Sequence, residues 1–472
     1  MNKRVIAAFT FLVSLVPAAF AQVDFDRGAG DLKAALSGID TPQVSAPALE
    51  KGWFGNNDPK PQPVKEWTVM VYMNGKNDLE AAGFLDLDEM ERVGSSDQVN
   101  ILAEWGRMSG QEGDINGVDG DWTGSRRFYV DKDNTKEKIR SKAVQKFSKV
   151  DMGDWKHLVD FAQWGMKNYP AKRYTLIVWN HGSGWKTSKT AVSKGISYDF
   201  ETKNHISTPE LGEAMKAIGK VDILGFDACL MQMPEVAWEV KDHADFIVGS
   251  EQTIPGLGMP YDYFLGHLVV DGKVSEPEHF ARMMVEGYSA FYSSQKKSTT
   301  LSILRTSELP AFAGVFNAWT EAMLAFEKKG EIKRQYVLAR KYDDEDSKDL
   351  YDFARRVEAL DQNGPLGASS REMMAALSDK LVIKNTAYLG VYEQDKESHG
   401  LAVYLPAKGY DAKYDQLAWA GASRWDEFLK EMQGVSIPGL EFMNGCTDPG
   451  PGASLQALMA YIDCLTAAIG KP

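Results

Sequence analysis

Two reactive side chains sit where an α/β sheet would gather its chemistry. The apolar run Leu176-Ile-Val-Trp179 opens into Asn180-His181-Gly182-Ser183-Gly184-Trp185, and Ile223-Leu-Gly-Phe226 opens into Asp227-Ala228-Cys229-Leu230. Both runs have the length and apolar continuity of buried strands, and ligands of open α/β sheets collect beyond the carboxyl ends of the strands. A histidine and a cysteine at one such edge suit nucleophilic catalysis. The thiolate attacks a carbonyl carbon, and the imidazole handles its proton or that of a leaving amine. Glycines after His181 let the chain turn sharply, which makes the backbone N–H groups of Gly182 and Cys229 candidates for an oxyanion hole. Either side chain alone reads more simply as structural, a buried inert thiol or a core histidine. Their shared edge is what points to a dyad.

The elements that would hold them follow from periodicity. Strands are expected at 67–73, 99–105, 126–130, 174–179, 221–226 and 245–249. A helix over 154–168 starts near Asp154, stops before Pro170 and aligns Leu158, Phe161, Ala162 and Gly165. A second helix over 208–219 opens at Ser207-Thr208-Pro209-Glu210 and aligns Leu211, Met215 and Ile218. Apolar strands alternating with such helices predict an α/β fold with a mostly parallel sheet sandwiched by helices. Beyond about residue 270 the texture becomes long, charged and helical, with strand-like 299–305 and 400–405, so a largely helical C-terminal region is expected to pack on the first.

The segments His181-Gly-Ser-Gly-Trp185 and Asp227-Ala-Cys-Leu-Met231 resemble the two motifs of clostripain-like cysteine peptidases, relatives of caspases, gingipains and legumains. Trp67 to Glu80, Asp151-Met-Gly-Asp154, Gly249-Ser-Glu251, Pro255-Gly-Leu-Gly258 and Asp349-Leu-Tyr-Asp-Phe353 extend the similarity over roughly residues 66–406. The resemblance implies a caspase-like fold and a His181/Cys229 dyad without an obligatory third member. It further implies protein or peptide substrates with Arg or Lys before the cut bond, internal cleavage between His and Cys in several members, and a calcium requirement in some. Asp227 adds a physical reason for the basic preference. Two residues before Cys229, it should face the same cleft and could pair with a guanidinium or ammonium; alternatively it caps the following helix. For self-cleavage the polar stretch Lys186 to Lys194 is expected to be an exposed connection rather than a sheet element. The preferred bond is Lys194–Gly195, with Lys186 and Lys189 as alternatives. A non-catalytic caspase-like binding module and a peptide ligase are the competing functions.

The formal charge of −13 argues against generic nucleic-acid or anionic-membrane binding, and it suits a basic substrate or solubility alone. A basic Lys3-Arg4, an apolar Val5 to Val16 and a small-x-small site ending at Ala21 read as a cleaved signal peptide, so export to the periplasm or beyond is expected. No later run is long enough to span a membrane. Residues 22–65 read as a linker or pro-segment, with Pro, Gly, Asn and Lys concentrated from about Asp40 to Glu66. The expected organisation is then a catalytic domain at 66–270, a helical region with a few strands at 271–436, and a tail at 437–472. In an oxidising compartment Cys446 and Cys464 would form a terminal disulfide and leave Cys229 free. The dyad requires no cofactor. The acidic stretch Asp114 to Asp121 offers oxygen ligands that calcium prefers but lacks EF-hand spacing, and the metal, if there is one, is not identified by the sequence.

Overall fold

The computed structural model describes residues 63–111, 113–115, 117–135, 138–187, 194–271, 276–388, 398–406 and 409–437. The expected leader, nearly all of the linker, Lys189 and the Cys446/Cys464 pair lie outside these residues.

Nine strands form the central sheet: β1 (Lys65–Gly75), β2 (Val99–Arg107), β3 (Gly124–Tyr129), β4 (Ala143–Phe147), β5 (Ala171–Trp179), β9 (Val221–Asp227), β10 (Ala244–Gly249), β11 (Thr299–Arg305) and β13 (Val382–Tyr388). A small antiparallel sheet contains β6 (Gly182–Thr187), β7 (Lys194–Asp199) and β8 (Asn204–Ile206), and β12 (Ser347–Asp349) pairs with β14 (Ala402–Tyr404). The large sheet runs β13-β11-β10-β9-β5-β1-β2-β3-β4. Its centre, β10 to β2, is parallel, and both margins are antiparallel.

Side chains alternate across these strands, so each apolar run feeds two cores. Met70, Tyr72, Leu176, Val178, Leu224 and Phe226 face one core. Val69, Val71, Met73, Ile177, Trp179 and Ile223 face the other. Helices Trp155–Asn168, Thr208–Ile218 and Pro234–Val240 cover the first face, and helices Glu80–Val93, Tyr261–Asp271 and Pro277–Ser294 the second. The expected helix starts are built as their sequences suggest. Asp154 accepts from the Lys156 N–H, and Ser207 with Glu210 forms a reciprocal capping box.

Two expectations change. Residues 299–305 do not serve a separate region: β11 and β13 extend the main sheet antiparallel to β10, and helix Pro277–Ser294 packs on the sheet beside them. Periodicity identifies a strand but not its sheet. The polar connection after His181 is also shorter than expected. Residues through Thr187 and from Lys194 onward are strands, with Gly182 opposite Ile196 and Thr187 opposite Lys194. Buried Trp185 and Ile196 anchor this hairpin, whose Lys, Thr and Ser residues otherwise conceal its strand character.

Candidate active site

β5 and β9 are neighbours, and Trp179 stands opposite Asp227. His181 and Cys229 therefore lie the same two residues past the paired strand ends. The Asn180 N–H donates to the Asp227 carbonyl at 3.1 Å and fastens the two exits together. Both side chains line one cleft with Leu79, Asn180, Asp227 and Ile254. Gly182 passes so close beneath that a Cβ there would sit 2.4 Å from the Cys229 carbonyl oxygen. Only glycine fits this approach. Directly after the cysteine, Leu230 adopts φ 63°, a left-handed conformation that a leucine rarely takes. Its N–H is bonded to the Gln252 carbonyl at 3.2 Å. The chain thus reverses sharply at the thiol.

Burial pushes the Cys229 thiol up to about 12, opposed by the backbone N–H groups of Ile254 and Gly182, with the Asp343 and Asp227 carboxylates adding to the rise. The Ile254 N–H lies 3.2 Å from Sγ. At neutral pH the resting sulfur therefore keeps its proton, and a base must take it during attack. His181 occupies the same cleft with its ring stacked on Phe200 at 8° and edge-on to Tyr198. Its Nε2 is 2.7 Å from Asp78 Oδ1. Asp78 was not singled out by the sequence reading, although it lies within the Trp67 to Glu80 similarity just past β1, the strand beside β5. Burial would raise its carboxyl, but the hydrogen bond and charge of His181 prevail and hold it below the usual range.

Asp227 does not cap a helix. Its Oδ2 accepts from the Met259 N–H at 3.0 Å and the Tyr261 hydroxyl at 3.1 Å, and it lines the cleft beneath the cysteine. Burial pushes it up to about 6. Asp86, from helix Glu80–Val93, comes in from behind: a Cβ on Gly258 would lie 2.9 Å from Asp227 Oδ2 and 3.1 Å from Asp86 Oδ2. Burial and the charge of Asp227 raise Asp86 well above the carboxylate range, and the Trp179 indole donates to it at 2.6 Å. Glu89, one turn along, is pushed up to about 8 by burial and by Asp262. Sequence reading found Asp227 but neither Asp86 nor Glu89. No local pattern marks a helical carboxylate that will back a cleft.

Of the cleavage candidates, Lys186 lies in β6 and is paired with Asp344 at 2.6 Å and Asp346 at 2.5 Å. Lys194 opens β7. Gly195 is buried at φ 75°, with its N–H bonded to Ser183 Oγ at 3.0 Å. In the acidic loop two carboxylates are engaged by neighbouring groups of the chain. Asp114 Oδ2 is taken by the Gly110 N–H and Asp119 Oδ2 by the Trp122 indole. Among the described residues, no three His, Cys, Asp or Glu side chains converge to hold a metal.

Comparison with known proteins decides the affiliation. The family model described as the clostripain family matches residues 71–432. The chain belongs to the clostripain family. Clostripain of Hathewaya histolytica is 28% identical over 224 residues, a match spanning 43% of this chain and 42% of that protein, so less than half of the relative's length is covered. A secreted C11 cysteine protease from Bacteroides thetaiotaomicron, solved with an irreversible peptide inhibitor, superimposes with a TM-score of 0.56 at 20% identity, covering 76% of this chain and 99% of its own. An inactive zymogen C11 protease from Parabacteroides distasonis matches with the same TM-score, identity and coverage. At these identities the two structures speak for a shared fold. No described helix is long and apolar enough to cross a membrane.

Proposed function

We propose that this clostripain-family protein is an exported cysteine endopeptidase that cleaves after Arg or Lys and matures by cutting itself between His181 and Cys229. The observation that carries this reading is the cleft in which His181 and Cys229, equally far beyond paired strand ends, meet above the buried Asp227 carboxyl. In the proposed reaction His181 takes the thiol proton as Sγ attacks the carbonyl carbon before the scissile bond. The Gly182 and Cys229 N–H groups stabilise the oxyanion. As the C–N bond breaks, the imidazolium gives its proton to the leaving amine, and water then hydrolyses the thioester with His181 as base. A basic side chain beside Asp227 would favour ionised carboxyls at the cleft floor, because a nearby cation stabilises the charged form.

The proposed chemistry is carried by the dyad side chains and two backbone N–H groups, and a calcium requirement is read by assaying with and without the ion. Self-cleavage is supported by the position of the candidate segment between the two dyad residues and by a relative of the same fold solved as an inactive zymogen. Our preferred bond remains Lys194–Gly195, which requires the first residue pair of β7 to fray.

The test is the turnover of Arg and Lys fluorogenic peptides by wild type, Cys229→Ala and His181→Ala, with intact-mass analysis of each protein. Wild type should cut basic peptides and appear as two fragments dividing near residue 194, and both variants should be inactive single chains. Turnover by folded Cys229→Ala would remove the nucleophile assignment. An active, uncut wild type would remove the maturation step. No turnover, together with no labelling by a lysine-directed covalent inhibitor, would favour a binding module. Peptide-bond formation with an added amine would reveal a ligase.

A further inference from the structure

We propose that Asp78 is the positioning residue of a three-member unit, Cys229–His181–Asp78, an inference that rests on the dyad proposed above. The contact is direct, with Nε2 of His181 2.7 Å from Asp78 Oδ1. With the Nε2 proton engaged by a carboxylate, Nδ1 becomes the nitrogen that accepts the thiol proton and returns it to the leaving amine. The carboxylate then stabilises the imidazolium formed between these two steps.

The loop carrying Asp78 is built to hold it still. Lys76, fully buried, reaches Asp199 at 2.9 Å and Glu201 at 2.6 Å across the small sheet. Asn77 Nδ2 donates to the Tyr198 carbonyl at 2.7 Å, and its Oδ1 accepts from the Leu79 N–H at 2.9 Å. On the histidine side, Asn180 Nδ2 donates to the Asn74 carbonyl at 2.5 Å, and Asn180 Oδ1 accepts from the Tyr198 N–H at 2.7 Å. Residues 74–79, 180–181 and 197–201 are thereby fixed to one another, and the imidazole lies between Phe200 and Tyr198 from the same segment. A carboxylate that merely happened to lie near the histidine would not require both partners' loops to be bonded to a common third strand.

The test compares Asp78→Asn and Asp78→Glu with wild type on a basic peptide amide and on the thioester of the same peptide. A thioester leaves without needing a proton, so it separates general-acid positioning from a loss of folded protein. The expected result for Asp78→Asn is a fall in kcat on the amide of about 100-fold, with KM nearly unchanged and a smaller fall on the thioester, which still needs His181 to take the thiol proton but not to protonate the leaving group. Asp78→Glu, which restores the charge, should recover part of the amide rate. Should Asp78→Asn fail to fold, the amide-to-thioester ratio of Asp78→Glu carries the test, and it should lie below the wild-type ratio. Equal losses on the two substrates, or wild-type kinetics in Asp78→Asn, would overturn the assignment while inactive Cys229→Ala and His181→Ala leave the dyad standing. Turnover by Cys229→Ala would instead remove the dyad reading itself.

Discussion

A carboxyl at the floor of a cleft can serve as a cation site only when it is ionised, and Asp227 is held up to about 6 by burial. Its charge is therefore present above that value and lost as pH falls through it. In the proposed endopeptidase, 1/KM for an Arg peptide should fall as pH drops through about 6, and Asp227→Asn should flatten that dependence. The same variant should cost basic peptides about 100-fold in kcat/KM, the scale of a lost charge-assisted contact with its partner left buried, and cost uncharged peptides far less. Steady-state kinetics from pH 5 to 8 on paired substrates checks both, and an unchanged Arg preference in Asp227→Asn would exclude the role. At this scale the sequence was informative where chemistry and backbone coincide. His181, Gly182, Asp227 and Cys229 follow strands whose ends could be read directly. Asp78 and Asp86 were hidden because their importance depends on β1 lying beside β5 and on the direction of a helix face, and neither is written locally.

Between elements, the sequence disclosed the strands and helices of the α/β layers but not the hairpin between the dyad residues. Its strands carry Lys, Ser and Gly, and what holds them is backbone pairing, the isolated apolar anchors Trp185 and Ile196 and a buried ion pair rather than a regularly alternating apolar face. Lys76 and Asp199 are both fully buried, and together they tie the loop after β1 to the end of β7. Breaking one partner leaves a buried charge uncompensated, which costs more than replacing both. Lys76→Met should therefore destabilise the protein by about 3 kcal/mol, and Lys76→Met/Asp199→Asn should regain much of that loss. Urea unfolding of the two variants beside wild type measures the difference. A double variant no more stable than the single would show that the pair does not act as a unit. The same loop carries Asp78, so the single variant should also lose activity out of proportion to its loss of folded fraction.

Across the whole molecule, the chain that leaves Cys229 passes at once into helix Pro234–Val240, which joins the catalytic edge to the C-terminal elements. Glu235 makes that joint. Its Oε1 accepts from the Tyr404 N–H at 3.1 Å and the Tyr414 hydroxyl at 2.9 Å, fully buried between β14 and the segment that follows it. Burial pushes its carboxyl up to about 7 from 4.5. The folded state therefore retains a proton that the unfolded chain has already released. Stability from this group is fully present below about 4.5, declines as pH rises from there to about 7, and changes no further above it. Glu235→Gln keeps the Oε1 acceptor and cannot ionise. Its stability relative to wild type should therefore rise between pH 5 and pH 8, by roughly 1–3 kcal/mol. Urea midpoints of both proteins at pH 5 and pH 8 give that difference directly. If the gap between variant and wild type is the same at the two pH values, the joint does not titrate, and Glu235 must lie in a more solvated environment than its packing against Tyr404 and Tyr414 implies.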